Sequence, residues 1–447
     1  MKDNKTSGLF TGAITRRQAI RYGAIAFSGL ALQGFFPLSA KPAVKRSKAK
    51  SIIQIWMWGG PSHLDTFDPK PEAGYDYCGP FNKPIETNVK GIRINELLTL
   101  TAKQADKFSI IRSMTHESGG HETAAYIVQT GWRPGDGLVH PCVGAVVSLK
   151  KGYGKGYKSL VPPYIVVTNP QGRFSEAGFL GSKYKPFATG GDPNKTPFAV
   201  EGIVTPGITE QRQINRRELL SKLDVYRQSM QGNSLIDMLN DYEAQAYDLI
   251  LGNSGKVFDL STEDQKLKDM YGKSTFGQSC LLARRLVEAG VPYVTINYGG
   301  WDTHKSNFET MRNKLPEFDK GFSTLLQDLS ERGLLDSTII WCGGEFGRTP
   351  KIAWEAPWNG GRHHYPQVFS TVVAGGSFKS GEVIGSSNST GTEVADHPVH
   401  PETLISIIYE KLGIEPDSTL RNPQGTETSI VQSNDNNKNY DSIKKLL

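Results

Sequence analysis

Short apolar runs alternate with amphipathic stretches along most of the chain, and this alternation sets the first expectation about the fold. SIIQIWMW (51–58) is apolar, β-branched at its start and stopped by Gly59-Gly60-Pro61, as a buried strand would be. SIIRS (109–113), PYIVV (163–167), VPYVTINY (291–298), TIIWCGG (338–344) and VFSTVVAGG (368–376) repeat the pattern. Between them, apolar residues recur at helical spacing in INELLTLTAKQADKF, TAAYIVQTG, FGQSCLLARRLVEAG, a stretch from about Leu315 to Arg332, and ETLISIIYEKLG. Strands apolar on both faces and separated by helices predict an α/β fold, with a mostly parallel sheet covered on both sides. SIIQIWMW, VPYVTINY, TIIWCGG and VFSTVVAGG should share that sheet with their C-terminal ends on one edge.

The same pattern divides the chain. Residues 51–420 read as a single domain, in which 135–255 form an insertion: first a stretch rich in Gly, Pro, Lys and Tyr, then a long helix or helical pair (Asn215 to Leu251) suited to a cap. Residues 421–447 read as a polar, mobile tail. Residues 1–40 read as a targeting segment. Arg16 and Arg17 precede an apolar stretch, Ala24 to Phe36, too short to span a bilayer comfortably, and Leu38-Ser39-Ala40 offers small residues for cleavage. This resembles a twin-arginine export signal, and it predicts a periplasmic or secreted body carried out folded by the twin-arginine translocase. A retained N-terminal membrane anchor is the alternative. Residues 41–50 form a basic linker.

Charge and cysteine content narrow the class. The formal net charge is +6, but much of the excess lies in KPAVKRSKAK and KNYDSIKKLL, so the body is near neutral and no nucleic-acid partner is expected. Four cysteines stand far apart with no CxxC pair, which signals neither a zinc ribbon nor a dense disulfide framework and leaves room for one disulfide.

The histidines carry the chemistry. Of nine, eight stand beside glycine, proline or an acid just after a predicted strand: His63 in GGPSHLD, His116 and His121 in THESGGHE, His304 in GGWDTH, His363 and His364 in GRHHYP, His397 and His400 in DHPVHP. His140 lies apart. With Asp65, Asp302 and Glu345 in similar positions, these residues could converge on one sheet edge as ligands for a divalent metal. The expected ligands are His63, Asp65, Asp302, His304, Glu345 and His364; zinc is favoured, with calcium or manganese as alternatives. His363 and His364 should not both enter one site from an extended segment, because successive side chains face opposite ways. A hydrogen-bonded turn remains the alternative reading of GGWDTH, and a Glu345–Arg348 pair that of GGEFGRTP.

Several of these stretches together resemble the DUF1501 family of exported bacterial proteins: GGPSHLDTFDPKP, IIRSMTHESGGHETAAYIVQTG, YGKSTFGQSCLLARRLVEAGVPYVTINYGGWDTH, GLLDSTIIWCGGEFGRTPK and HHYPQVFSTVVAGGSFKSGEVIG. The family's function is unassigned. It is grouped with the alkaline phosphatase and sulfatase superfamily, and the resemblance implies a three-layer α/β/α sandwich of alkaline phosphatase-like type. That superfamily commonly holds one or two metals on Asp and His ligands, and attacks an ester with Ser, Thr or a formylglycine. Registering the shared Thr130-Gly131 places His121 at the nucleophile's position, and no Cys-x-Pro-x-Arg signature is present. Phe346 follows Glu345 where a ligand is usual, and His363 stands where many relatives carry an acid. One ion, two or none therefore stay open.

Two functions follow as expectations. One is metal-dependent hydrolysis of a phosphate or sulfate ester on a small molecule or glycan, with His121 as ligand, base or nucleophile and Arg348 or Arg362 steadying the developing charge. The other is a non-catalytic or carbohydrate-binding envelope protein, working beside other exported proteins, whose loop aromatics such as Trp354, Trp358 and Tyr365 stack on sugars.

Overall fold

The side chains of SIIQIWMW divide between two cores: Ile53 and Ile55 join one buried cluster, Ile52 and Trp56 another on the opposite face. The computed structural model describes residues 49–153, 157–169, 176–196, 198–200, 210–223, 249, 252–433 and 440–447. It places this strand, β1 (Ser51–Trp56), inside an eight-stranded sheet. The other strands are β2 (Phe108–Met114), β3 (Tyr164–Val167), β4 (Phe187–Ala188), β5 (Tyr293–Asn297), β6 (Thr338–Gly343), β7 (Phe369–Ala374) and β8 (Val383–Ile384), in the order β8-β2-β7-β6-β1-β5-β3-β4. β1 runs parallel to β5 and β6, with Ile53 opposite Val294 and Ile340.

Among the described residues, the helices that cover the sheet include α1 (His121–Thr130), α2 (Thr275–Glu288), α3 (Asn307–Glu331), α4 (Pro401–Lys411) and α5 (Tyr440–Leu446). Leu281 of α2 and Leu325 of α3 pack in the cluster of Ile53. Val128 of α1, Ile405 of α4 and Ile443 of α5 pack in the cluster of Ile52. The result is a three-layer α/β/α arrangement with a mostly parallel sheet. Ser274 starts α2 by accepting the Gly277 N–H, the usual service of an N-cap serine.

Four expectations need correction. VFSTVVAGG lies in the sheet but reversed: β7 is antiparallel to β6 and β2. A parallel entry requires a crossover, and residues 344–368 contain no helix, so the chain turns back on the edge it has just left. INELLTLTAKQADKF forms only a 3₁₀ segment, Thr101–Lys107. Asn95 takes the Leu97 N–H and Asp319 those of Leu100 and Thr101, the groups an α-helix would pair internally. α3 begins at Asn307, ahead of Leu315, and carries Pro316 inside it. The described parts of the tail are anchored, with Ile430, Val431, Ile443 and Leu447 buried in the same cluster as Ile405 of α4. Of the expected cap, helix Glu210–Leu223 is described, whereas 224–248, the signal segment 1–40 and linker residues 41–48 lie outside the described residues.

Candidate functional site

Five loop segments meet at the edge where β1, β2, β5 and β6 end and β7 begins. Their backbones touch. Gly59, at φ +109°, would place a Cβ 2.3 Å from the Asp302 nitrogen, and a Cβ on Gly361 would lie 1.7 Å from the His304 carbonyl oxygen. A side chain at either position would push the GGWDTH loop away. Trp301 roots that loop in the core, 1% exposed, with its ring edge-on to Tyr298 at 5.5 Å and to Phe318 at 6.2 Å.

On this platform Asp302, His304 and His364 come together. His304 Nε2 lies 3.0 Å from Asp302 Oδ1 and 2.9 Å from His364 Nε2, and His364 Nε2 lies 3.4 Å from Asp302 Oδ1. His121, Asp302 and His364 also offer ligand atoms within 4.8 Å of one another. The partner behind the His364 ring fixes its tautomer when the ring is neutral. His364 Nδ1 is 2.7 Å from the Gly119 carbonyl, which can only accept, so Nδ1 carries the proton and Nε2 a lone pair facing the cluster. His304 Nδ1 is 2.8 Å from His363 Nδ1. If His363 donates, His304 Nε2 is an N–H shared between His364 and Asp302. If His304 donates, the three clustered atoms are all acceptors, and a divalent cation or a further proton between them would reconcile them. Tetrahedral donors about 2.1 Å from an ion sit about 3.4 Å apart, close to the observed spacing. Burial lowers the pKa of His304 and of His364, favouring the neutral form that can ligate.

His121, the first residue of α1, stands beside this cluster. Its Nε2 is 3.3 Å from Asp302 Oδ2, and its Nδ1 is 2.6 Å from Glu345 Oε1. The hydrogen bond to Glu345 raises the His121 pKa, while burial raises that of Glu345 against the opposing pull of His121 and the Gly59 N–H. Glu345 is fully buried and backs His121 instead of joining the cluster. Its Oε2 has no hydrogen-bond partner. His116 holds the Glu345 carbonyl through Nε2 at 2.6 Å and accepts the Ser118 N–H on Nδ1.

The remaining expected site residues have structural work. Arg348 is buried, and its guanidinium donates to the carbonyls of Gly59, Gly60 and Arg362 and to Asp302 Oδ1. It positions Asp302, and four of its five N–H groups are spent on these partners. Partial burial opposes ionisation of Asp302, but the charge and hydrogen bond of Arg348 prevail and hold its carboxyl below the usual range. Asp65 lies outside the cluster in a buried bidentate pair with Arg362, at 2.7 and 2.9 Å, and also accepts from Asn307. Arg362 spends its other donors on the carbonyls of Thr349, Pro350 and Tyr77. His63 is buried against the Gly391 carbonyl at 2.9 Å, and burial pushes its pKa down to about 4.

Sequence reasoning missed His363. It and His364 both reach His304, one at each ring nitrogen, because they flank that imidazole from two sides. Phe346, unable to ligate, packs on the rings of His121 at 5.0 Å and His364 at 4.6 Å.

A family model described as "Protein of unknown function (DUF1501)" matches residues 49–441, and the chain belongs to that family. No curated protein sequence matches it. Among solved structures, the chain is similar to Ps i-CgsB in complex with k-i-k-neocarrahexaose, at 11% identity over 82% of this chain and 72% of that one, with a TM-score of 0.40. It is also similar to the PsFucS1 sulfatase from Pseudoalteromonas sp., at 14% identity over 82% and 68%, TM-score 0.35. A third is the phosphonate monoester hydrolase SpPMH from Silicibacter pomeroyi, at 10% identity over 83% and 74%, TM-score 0.34.

Proposed function

We propose that this protein is an exported metal-dependent hydrolase acting on a phosphate or sulfate ester. The observation that carries the reading is the convergence of His304 Nε2, His364 Nε2 and Asp302 Oδ1 within 2.9–3.4 Å of one another. The donor chemistry fits a divalent ion: two imidazoles and one carboxylate suit zinc, and manganese tolerates the same set. Bound there, the ion would supply Lewis-acid polarisation of an ester oxygen. The chain's own groups prepare the site. Gly119 orients His364, Arg348 fixes Asp302, and Trp58 and Phe346 pack on His121, with ring centroids at 5.2 and 5.0 Å. Export rests on Arg16 and Arg17 ahead of the short apolar segment.

A second reading, a carbohydrate-binding envelope protein without catalysis, draws support from one feature. Tyr75 and Trp354, 60% and 38% exposed, stack at 5.1 Å and 7°, presenting an aromatic surface of the kind that sugar rings cover. One experiment separates the two readings. Protein recovered from the cell envelope is analysed for metal and assayed with 4-nitrophenyl phosphate and 4-nitrophenyl sulfate, beside His304→Ala and a double Arg16→Lys, Arg17→Lys change. We expect stoichiometric metal and chelator-sensitive turnover in the parent, loss of both in His304→Ala, and retention of the double variant in the cytoplasm. A metal-free, inactive parent would leave the binding reading, and an exported double variant would remove the twin-arginine assignment.

A further inference from the structure

The pair formed by Tyr75 and Trp354 is the outer end of a longer aromatic column that begins in the core. Phe308, buried near the start of α3, stacks on Trp354 at 5.8 Å and 18°, and Trp354 stacks on Tyr75 at 5.1 Å and 7°. Core packing accounts for Phe308. It does not account for Tyr75, which stands mostly in water. The column is braced from below: the Ile352 N–H donates to the Asp76 carbonyl at 2.9 Å, the Gly360 N–H to the Ala353 carbonyl at 2.8 Å, and the Ala353 N–H to the Gly361 carbonyl at 3.0 Å. Gly360 packs beneath Trp354 so closely that a Cβ there would lie 3.1 Å from the ring. Rings already held in place lose little freedom when a ligand covers them.

The loop that carries Trp354, residues 353–361, reaches the cluster of His304, His364 and Asp302 at its other end. Trp358 stands edge-on to His363 at 4.7 Å, with the His304 ring at 6.3 Å, and its carbonyl accepts the Ser306 N–H at 3.0 Å. Lys305, exposed and next to His304, holds its Nζ 6.0 Å from the Trp358 ring. One loop therefore joins an aromatic and a cation beside the cluster to an aromatic column that leads away from it. Size decides what could cover that column. One aromatic side chain offers about 150–250 Å², whereas a stable protein partner buries about 800 Å² on each side. A sugar ring matches one aromatic ring, with C–H groups on its face and hydroxyls at its edge. The rim suits those hydroxyls, since Lys351, Asp76 and Glu355 are all exposed and offer both donors and acceptors.

On the hydrolase reading above, we propose that the ester is carried by an oligosaccharide, which runs from the cluster along residues 353–361 and sets a sugar ring on Tyr75. The esterified unit lies at the Trp358 end, where Lys305 meets its negative charge. Tyr75 takes no part in the chemistry; it supplies binding remote from the reacting atoms, which a small aryl ester cannot use.

The test reads binding and turnover separately. The full chain, kept in chelator, is applied to an array of neutral, sulfated and phosphorylated oligosaccharides of graded length, beside Tyr75→Ala and Tyr75→Phe. We expect the parent to hold esterified oligosaccharides, more tightly as they lengthen, Tyr75→Phe to hold them equally well, and Tyr75→Ala to bind them about tenfold more weakly. All three should share one melting temperature, because Tyr75 is a surface position. Once loaded with metal, Tyr75→Ala should lose about tenfold more kcat/KM on the oligosaccharide ester than on the 4-nitrophenyl ester of the same acid. Binding to nothing on the array, or equal binding by the parent and Tyr75→Ala, would overturn the proposal while turnover of the nitrophenyl esters keeps the hydrolase reading intact. Self-association of the parent that Tyr75→Ala abolishes would overturn it in favour of a second copy of the chain. A parent that binds glycan through Tyr75 yet cleaves no ester removes the hydrolase reading, and the substrate assignment with it.

Discussion

Asp65 and Asp302 occur in similar glycine-flanked loops, each separated by one residue from a histidine, yet they have opposite fates. Both Asp65 oxygens are taken by Arg362, and the carboxylate is buried. The Asp302 side chain is 43% exposed and shared among His121, His304, His364 and Arg348. Asp65→Ala leaves a buried guanidinium without its anion, and breaking such a pair costs about 3–5 kcal/mol. We expect this variant to unfold at much lower denaturant while its folded fraction keeps the parent's metal content. His304→Ala, at a half-exposed loop position, should cost no more than about 0.5 kcal/mol and lose the metal. Denaturant midpoints and metal analysis on both variants decide; equal stability loss in the two would sink the division of roles. The spacing His-x-Asp or Asp-x-His was legible in the sequence and drew attention to both pairs alike. It could not separate Asp302 and His304 from His63 and Asp65, because that depends on which distant residue arrives. Arg362, 297 positions from Asp65, is the one that does.

Elements were more legible than ligands. The apolar runs became β1, β2, β3, β5, β6 and β7 because burial on both faces is written directly into consecutive apolar residues. The direction of β7 was not, since it depends on the route of the loop before it. That reversal is what brings His364, five residues ahead of Phe369, to the edge where the other strands end. The tail was misread because its few apolar residues are diluted by polar ones. In the fold, Ile443 and Leu447 of the last segment are buried, Tyr440 donates to Glu410 at 2.6 Å, and the Lys379 N–H donates to the Leu447 carbonyl at 2.7 Å. Burying two such side chains contributes roughly 1.5–3 kcal/mol each. Ending the chain after Val431 should therefore lower the melting temperature by several degrees and leave the protein's metal content as it is in the parent. An unchanged melting curve would mean that α5 adds nothing to the core.

At the scale of the whole molecule, buried neutral imidazoles make the fold less stable as pH falls. His63 ties the loop after β1 to Gly391, and its Nδ1 is buried with no partner. Burial lowers its pKa from 6.5 to about 4, against the pull of Asp68. The sign follows from proton counting. Between those two values the unfolded chain binds the proton and the native one does not, so stability falls as pH drops from 6.5 towards 4 and is insensitive to this group above 6.5. From pH 7 to pH 5 the loss from His63 is about 2 kcal/mol. His116 and His400, whose pKa values burial also lowers, add losses of the same sign. Glu345 works in the opposite direction: burial raises its pKa, so its penalty fades as pH falls. His63→Gln removes the titrating group from this sum while leaving the other histidines in place. Denaturant unfolding of both proteins in chelator, at pH 7 and pH 5, should therefore give a parent that loses about 2 kcal/mol more than the variant across the interval. An equal loss in the two would mean that His63 already carries its proton in the native fold, and that its contact with Gly391 tolerates the charge.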